Sequence, residues 1–138
     1  MLAKKAWSIV WVSSFLALAQ AALAAPDFRI AYILTDEHIL MPGAPMNLTV
    51  RVVNEGDVGG NAGELRVMGK ILGGEILFET MDSVGFLPKG EAVNVKFPGL
   101  LAPDFQKADS LSILAWVDEL GATPEANESN NALIHNVL

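Results

Sequence analysis

From Phe28 onward the chain is built of short runs in which apolar residues recur at every second position. Phe28, Ile30, Tyr32 and Leu34 alternate with Arg29, Ala31 and Ile33, and Met46, Leu48, Val50 and Val52 alternate with Asn47, Thr49 and Arg51. A period of two puts one face of an extended strand on a core and the other outward. The same reading predicts strands over Glu64 to Met68, Glu75 to Glu79, Val93 to Phe97, Leu111 to Val117 and Ala132 to Leu138. Turn signals separate them, at Pro42-Gly43, Asn54-Glu55-Gly56, Pro88-Lys89-Gly90 and Pro98-Gly99. All 12 Gly and all 7 Pro lie beyond residue 24, so long helices have little room to form. The predicted class is all-β: an antiparallel β-sandwich of about seven strands.

Residues 1–24 follow a different rule. Met1 to Lys5 is a short basic start, Ala6 to Ala19 is apolar apart from Ser8, Ser13 and Ser14, and Ala22-Leu23-Ala24 ends the segment in small residues. That is the three-part pattern of a secretory signal peptide, with Pro26 favouring a cut after Ala24 over one after Ala25. Ser13, Ser14 and Gln20 weaken the alternative of an uncleaved membrane anchor, which needs about 20 apolar residues. The expectation is therefore a leader, 1–24, and one exported domain, 25–138, periplasmic or extracellular and without stable membrane insertion. With no cysteine the chain has neither a disulfide nor a lipidation site at the cut. Removing the leader takes Lys4 and Lys5 with it, leaving 7 basic against 16 acidic residues, a net charge of −9. Nucleic-acid binding is disfavoured, because that affinity comes mainly from basic groups neutralising phosphates.

A series of short motifs carries a family resemblance. Pro42-Gly43 with a proline two residues on, the run Leu48-Thr49-Val50-Arg51-Val52-Val53-Asn54-Glu55-Gly56, then Leu87-Pro88-Lys89-Gly90-Glu91, Ala115-Trp116-Val117-Asp118 and Glu125-Ala126-Asn127-Glu128-Ser129-Asn130-Asn131 follow one another in that order. Over most of residues 27–138 this resembles the cell-adhesion-related domain found in bacteria (CARDB). The resemblance implies a seven-stranded immunoglobulin-like sandwich of the kind used as a module in large surface and secreted proteins. It implies a location and a role class, and no ligand.

The closing motif has chemistry of its own. Asn and Asp side chains hydrogen-bond backbone groups two residues on and tolerate left-handed turns, so Asp118, Glu128, Asn130 and Asn131 can order the connection between the last two strands. The alternative is calcium. Asp118, Glu119, Glu125, Glu128, Asn130 and Asn131 gather six oxygen-bearing side chains within 14 residues, and calcium takes 6–8 oxygens. The spacing is not that of an EF-hand, and the structural turn is the favoured reading.

Other candidates are weaker. His38, Met41, Met46, Met68, Met81 and His135 are of the ligand types that suit copper, but Met46 and Met68 fall in strand patterns that make them core. Ser83, in Met81-Asp82-Ser83-Val84-Gly85, lacks the first glycine of a hydrolase elbow. The Gly56 to Gly63 stretch lacks the Lys-Ser/Thr ending of a phosphate loop and reads as a strand connection. Trp116 is the only tryptophan beyond the leader. It alternates with Leu114 and Ser112 on the face opposite Leu111, Ile113, Ala115 and Val117. Either it forms an outward contact patch with Leu114, or the loop from Leu100 to Phe105 folds over it.

The sequence thus predicts a non-enzymatic, exported interaction module that needs no cofactor and binds a protein or a cell-surface polymer. The alternatives are a periplasmic protein for an ion, calcium ahead of copper, or for a small ligand and, last, a hydrolase.

Overall fold

The structure, a computed structural model, describes residues 23–36, 44–71, 73–101 and 110–137. The leader, Pro42-Gly43, His38, Met41 and the stretch 102–109 lie outside the described residues, apart from Leu23 and Ala24 at the end of the leader. Among the described residues there are nine strands and no helix. They are β1 (Phe28–Thr35), β2 (Pro45–Asn54), β3 (Gly60–Asn61), β4 (Glu64–Ile71), β5 (Ile76–Ser83), β6 (Phe86–Leu87), β7 (Ala92–Leu101), β8 (Leu111–Val117) and β9 (Ala132–Val137). Seven correspond to the predicted runs; the two-residue pair β3 and β6 is too short to leave a periodic signal.

Two antiparallel sheets face each other, one in the order β1-β2-β7 and the other β5-β4-β8-β9. The core is the set of inward positions that alternation selects. Met46, Leu48, Val50 and Val52 come from β2, Val95 and Phe97 from β7, Leu65 and Val67 from β4, and Leu111, Ile113, Ala115 and Val117 from β8. Each such side chain stabilises the fold by roughly 1.5–3 kcal/mol on burial. Both faces of the closed interior are thereby filled without any contribution from the outer face of either sheet.

Two predictions need correction. Tyr32 and Leu34 do not share the core face with Phe28 and Ile30: the β1–β2 register shifts between Ile30 and Tyr32, and Ile33 turns inward instead, 2% exposed, while Leu34 is 52% exposed. A one-residue bulge inverts every side chain beyond it, and in Ala31-Tyr32-Ile33-Leu34 both faces are apolar enough to accept either parity. Pro98-Gly99 is not a turn between strands but a bulge inside β7, two residues facing the single Asn47. Gly99 takes a left-handed φ of 71° and donates its N–H to Asn47 Oδ1 at 3.1 Å. Proline is tolerated there because β7 is an edge strand and its missing donor breaks no ladder. Gly73-Gly74, by contrast, lies between β4 and β5 and joins them as a hairpin.

Candidate functional site

Residues 118–131, between β8 and β9, form a self-bonded loop. Asp118 opens it in a left-handed conformation, φ 46°, and is only 6% exposed. Its Oδ1 accepts the N–H of Ala122 at 3.0 Å and its Oδ2 that of Thr123 at 2.9 Å, while its carbonyl accepts the Gly121 N–H at 2.8 Å. The turn so closed places the Thr123 hydroxyl to donate to the Asn61 carbonyl at 2.7 Å, tying the loop to β3.

The next turn is anchored to the start of β1. Glu125 Oε2 accepts the Phe28 N–H at 2.5 Å and Oε1 accepts from Asn131 Nδ2 at 2.8 Å. The Ala126 N–H bonds the Pro26 carbonyl at 2.9 Å, and Asn130 Nδ2 donates to Asp27 Oδ1 at 2.7 Å. Glu128 Oε1 accepts the Glu125 N–H at 2.9 Å, and Asn127 Oδ1 accepts both the N–H and the hydroxyl of Ser129. Partial burial raises the Glu125 carboxyl above its ordinary range, against the lowering effect of the Phe28 and Asn131 bonds.

That accounting bears on calcium. Every carboxylate oxygen of Asp118 and Glu125 already accepts an N–H, and the buried oxygens without a hydrogen-bond partner are the two amide Oδ1 atoms of Asn130 and Asn131. Calcium takes six to eight oxygens, and in this geometry the carboxylates of Asp118 and Glu125 are engaged in ordering the loop. Among the described residues, no group of three or more His, Asp or Glu side chains converges as a metal site. The described members of the copper set are dispersed. Met46 is in the core on β2, Met68 is on β4 two residues out of register with Met81 on the β5 edge, and His135 is on the β9 edge of the same sheet, roughly 14 Å from Met81 at three strand spacings. Ser83 ends β5, three strands away from His135.

The second candidate region is the outer face of the β5-β4-β8-β9 sheet. Register aligns Arg66 with Trp116 and Met68 with Leu114 across β4 and β8, and Leu114 with Ile134 and Trp116 with Ala132 across β8 and β9. Trp116 and Leu114 are half-buried, Met68 is 6% exposed, and Ile134 is 60% and Met81 58% exposed. The guanidinium of Arg66 lies 5.6 Å from the centroid of the Trp116 ring. It is held there by Glu79, at 2.7 Å from Nε, and by both oxygens of Glu119, at 2.8 and 2.9 Å from Nη1. These carboxylates, Glu119 first, raise the Arg66 pKa further above its ordinary value. A cleft of about 300 Å³ opens beside this cluster, lined by Arg66, Met81, Asp118, Glu119 and Leu120.

Two residues of consequence carried no recognised signal. Asn54 is fully buried and uses its whole side chain: Oδ1 accepts the N–H groups of Asp27 and Gly56, and Nδ2 donates to the carbonyls of Val58 and Leu87. The clue was available, since Asn54 continues the inward series Leu48, Val50, Val52 as a polar residue at a core position. The Arg66 clamp had no such clue, because pairing of β4 with β5 and β8 brings Glu79 and Trp116 beside it and the turn after β8 brings Glu119.

No protein-family model matches the chain, and a search of curated proteins finds no match. Solved structures do match. The CARDB domain of a Pyrococcus furiosus protein, determined in complex with di-metal ions, superposes with a TM-score of 0.59 at 22% identity, over 84% of this chain and 94% of that one. A domain from a Methanosarcina acetivorans protein provisionally described as a cell surface protein gives 0.57 at 22% identity, over 81% and 90%. A Paenibacillus cycloisomaltooligosaccharide glucanotransferase gives 0.51 at 20% identity, but the match spans 67% of this chain and only 12% of that enzyme. By fold, the chain is a CARDB-like, immunoglobulin-type antiparallel β-sandwich.

Proposed function

We propose that this chain is an exported, non-enzymatic interaction module that contacts a protein or a surface polymer through the outer face of its four-stranded sheet. One observation carries the reading: Trp116, Leu114 and Ile134 lie on neighbouring strands of an outer face that the core does not use, with Met81 exposed on the far side of Arg66. A half-exposed Trp stacked by an Arg that two carboxylates immobilise is a rigid aromatic anchor with little rotamer entropy left to lose on binding. The fold likeness to a domain of a provisionally described cell surface protein supports the location.

Export with cleavage after Ala24 accords with where packing begins. Leu23 is 92% exposed and Ala24 is exposed, whereas the Ala25 carbonyl accepts the Asp57 N–H at 3.0 Å and Pro26 is buried. Gly56 is the surface on which Ala25 and Pro26 lie, since a Cβ there would come within 2.4 Å of the Ala25 carbonyl oxygen.

The test is cross-linking of the tagged, exported chain in its own cell envelope, with Trp116→Ala in parallel and captured species identified by mass spectrometry. Stoichiometric capture that drops at least tenfold with Trp116→Ala supports the reading, since a hot-spot aromatic contributes about 2 kcal/mol or more. Capture that Trp116→Ala leaves unchanged, with both chains melting alike, overturns the assignment of this face.

A further inference from the structure

Among the described residues the sandwich has four edge strands, and three of them carry features that discourage pairing with another strand. β1 has Arg29 and the bulge at Ala31; β7 has Lys96, Pro98 and the bulge opposite Asn47; β5 has Glu79 and Asp82 and a register shift against β4. β9, Ala-Leu-Ile-His-Asn-Val, has no Asp, Glu, Lys, Arg, proline or bulge, and its register with β8 is uninterrupted. β8 likewise lacks Asp, Glu, Lys and Arg, so this half of the sheet bears no carboxylate in a chain of net charge −9 without its leader.

The direction of the free backbone groups on β9 follows from one bond. The Val117 N–H donates to the Asn131 carbonyl at 2.9 Å, which makes 117 and 131 a hydrogen-bonded pair. In an antiparallel ladder such pairs recur at every second residue, so Leu133, His135 and Val137 turn their backbone groups toward β8. Ala132, Ile134 and Asn136 therefore aim theirs at the open edge, and among the described residues β9 pairs with β8 alone. The same three residues present exposed side chains on the outer face.

We propose that β9 is an association edge at which two copies of this chain pair antiparallel about Ile134, joining their four-stranded sheets into one. The occupant is argued from self-complementarity. A two-fold axis at Ile134 sets Ile134 against its equivalent and Ala132 against Asn136 of the second copy, with no charge opposed to like charge and about six new backbone hydrogen bonds. It also makes the Leu114–Ile134 apolar row continuous across the junction, burying the most exposed apolar side chain of β9. Elsewhere along the edges two acidic copies meet bulges or charges, above all Glu79 and Asp82 on β5. Leu114 and Ile134 also belong to the outer face proposed above as a contact surface, but the two readings separate in their tests: Trp116→Ala reports on a foreign partner and a thiol at position 134 on the second copy.

Because the chain has no cysteine, a single introduced thiol reports the geometry without interference. Hydrogen-bonded antiparallel partners have Cα atoms about 5.5 Å apart, within disulfide reach. The exported Ile134→Cys chain is expected to oxidise to a covalent dimer at least tenfold faster than Met81→Cys, an equally exposed thiol on the β5 edge. Sedimentation of the unmodified chain from about 1 μM to about 1 mM is expected to show a monomer–dimer equilibrium, which Ile134→Lys abolishes while its melting temperature at low concentration stays put. A chain that stays monomeric throughout, or equal oxidation of the two thiols, overturns the proposal and leaves the edge to a strand from a different protein.

Discussion

If the 118–131 loop is held by backbone capping, its stability resides in Asp118. The carboxylate accepts the Ala122 and Thr123 N–H groups from a 6% exposed position, and the residue sits at φ 46°. A hydrogen bond to a charged acceptor contributes roughly 1.5–3 kcal/mol, and two that share one carboxylate and one turn are expected to total about 2–4 kcal/mol. Asp118→Gly loses both bonds but sheds the Cβ strain that the parent carries at φ 46°, costing about 1–3 kcal/mol. Asp118→Ala loses both bonds and keeps that strain, costing about 2–4 kcal/mol. Asp118→Asn keeps one acceptor and the turn tolerance, and costs about 1–2 kcal/mol. The order of loss is therefore Asn, Gly, Ala. At about 3–4 °C per kcal/mol for a domain of this size, the Ala variant melts at least about 6 °C below the parent. Urea unfolding monitored by Trp116 fluorescence, alongside calorimetry, measures all three. An Ala variant within about 3 °C of the parent, or a Gly variant worse than Ala, refutes the capping argument. The same melts with calcium added separate the two readings of the motif. Capping predicts no shift for the parent chain, and a rise that Asp118→Asn abolishes would install an ion site instead.

Two further outcomes follow from buried polar groups. Asn54→Ala removes four hydrogen bonds joining the start of β1, the loop after β2 and β6, and is expected to cost about 3–5 kcal/mol by chemical denaturation. In Asn54→Asp the loss eases as pH falls into the carboxylate range, because the protonated acid regains a donor toward the Val58 or Leu87 carbonyl; a pH-independent loss would contradict this. Glu125 has a raised pKa in the fold, so the folded state holds its proton more tightly than the unfolded chain. Its contribution is present below the ordinary glutamate value and is lost as pH rises through the raised one. The parent chain should thus gain stability relative to Glu125→Gln as pH drops through that window, and an unchanged difference between the two denaturation curves would refute the burial effect.

Sequence alone determined the class of fold and most of its core. Strict alternation over Met46 to Val52, Val93 to Phe97 and Leu111 to Val117 is a local property, and each inward residue it selects packs in the interior. Where alternation was ambiguous, only the tertiary structure could choose. In Ala31 to Leu34 both parities bury apolar groups, and pairing with β2 decided in favour of Ile33. At Pro98-Gly99 a local turn signal was absorbed as a bulge because β7 runs along the edge of a sheet, a fact about neighbours that a chain-breaker does not encode. The motif from Asp118 to Asn131 was legible as a cluster of oxygens, yet whether those oxygens face an ion or backbone N–H groups depends on where Phe28, Ala122 and Thr123 come to lie. The Arg66–Trp116 stack and the bare edge of β9 were beyond reach for the same reason. Both are products of strand order and register, set by long-range burial between segments that hold no record of one another in local periodicity.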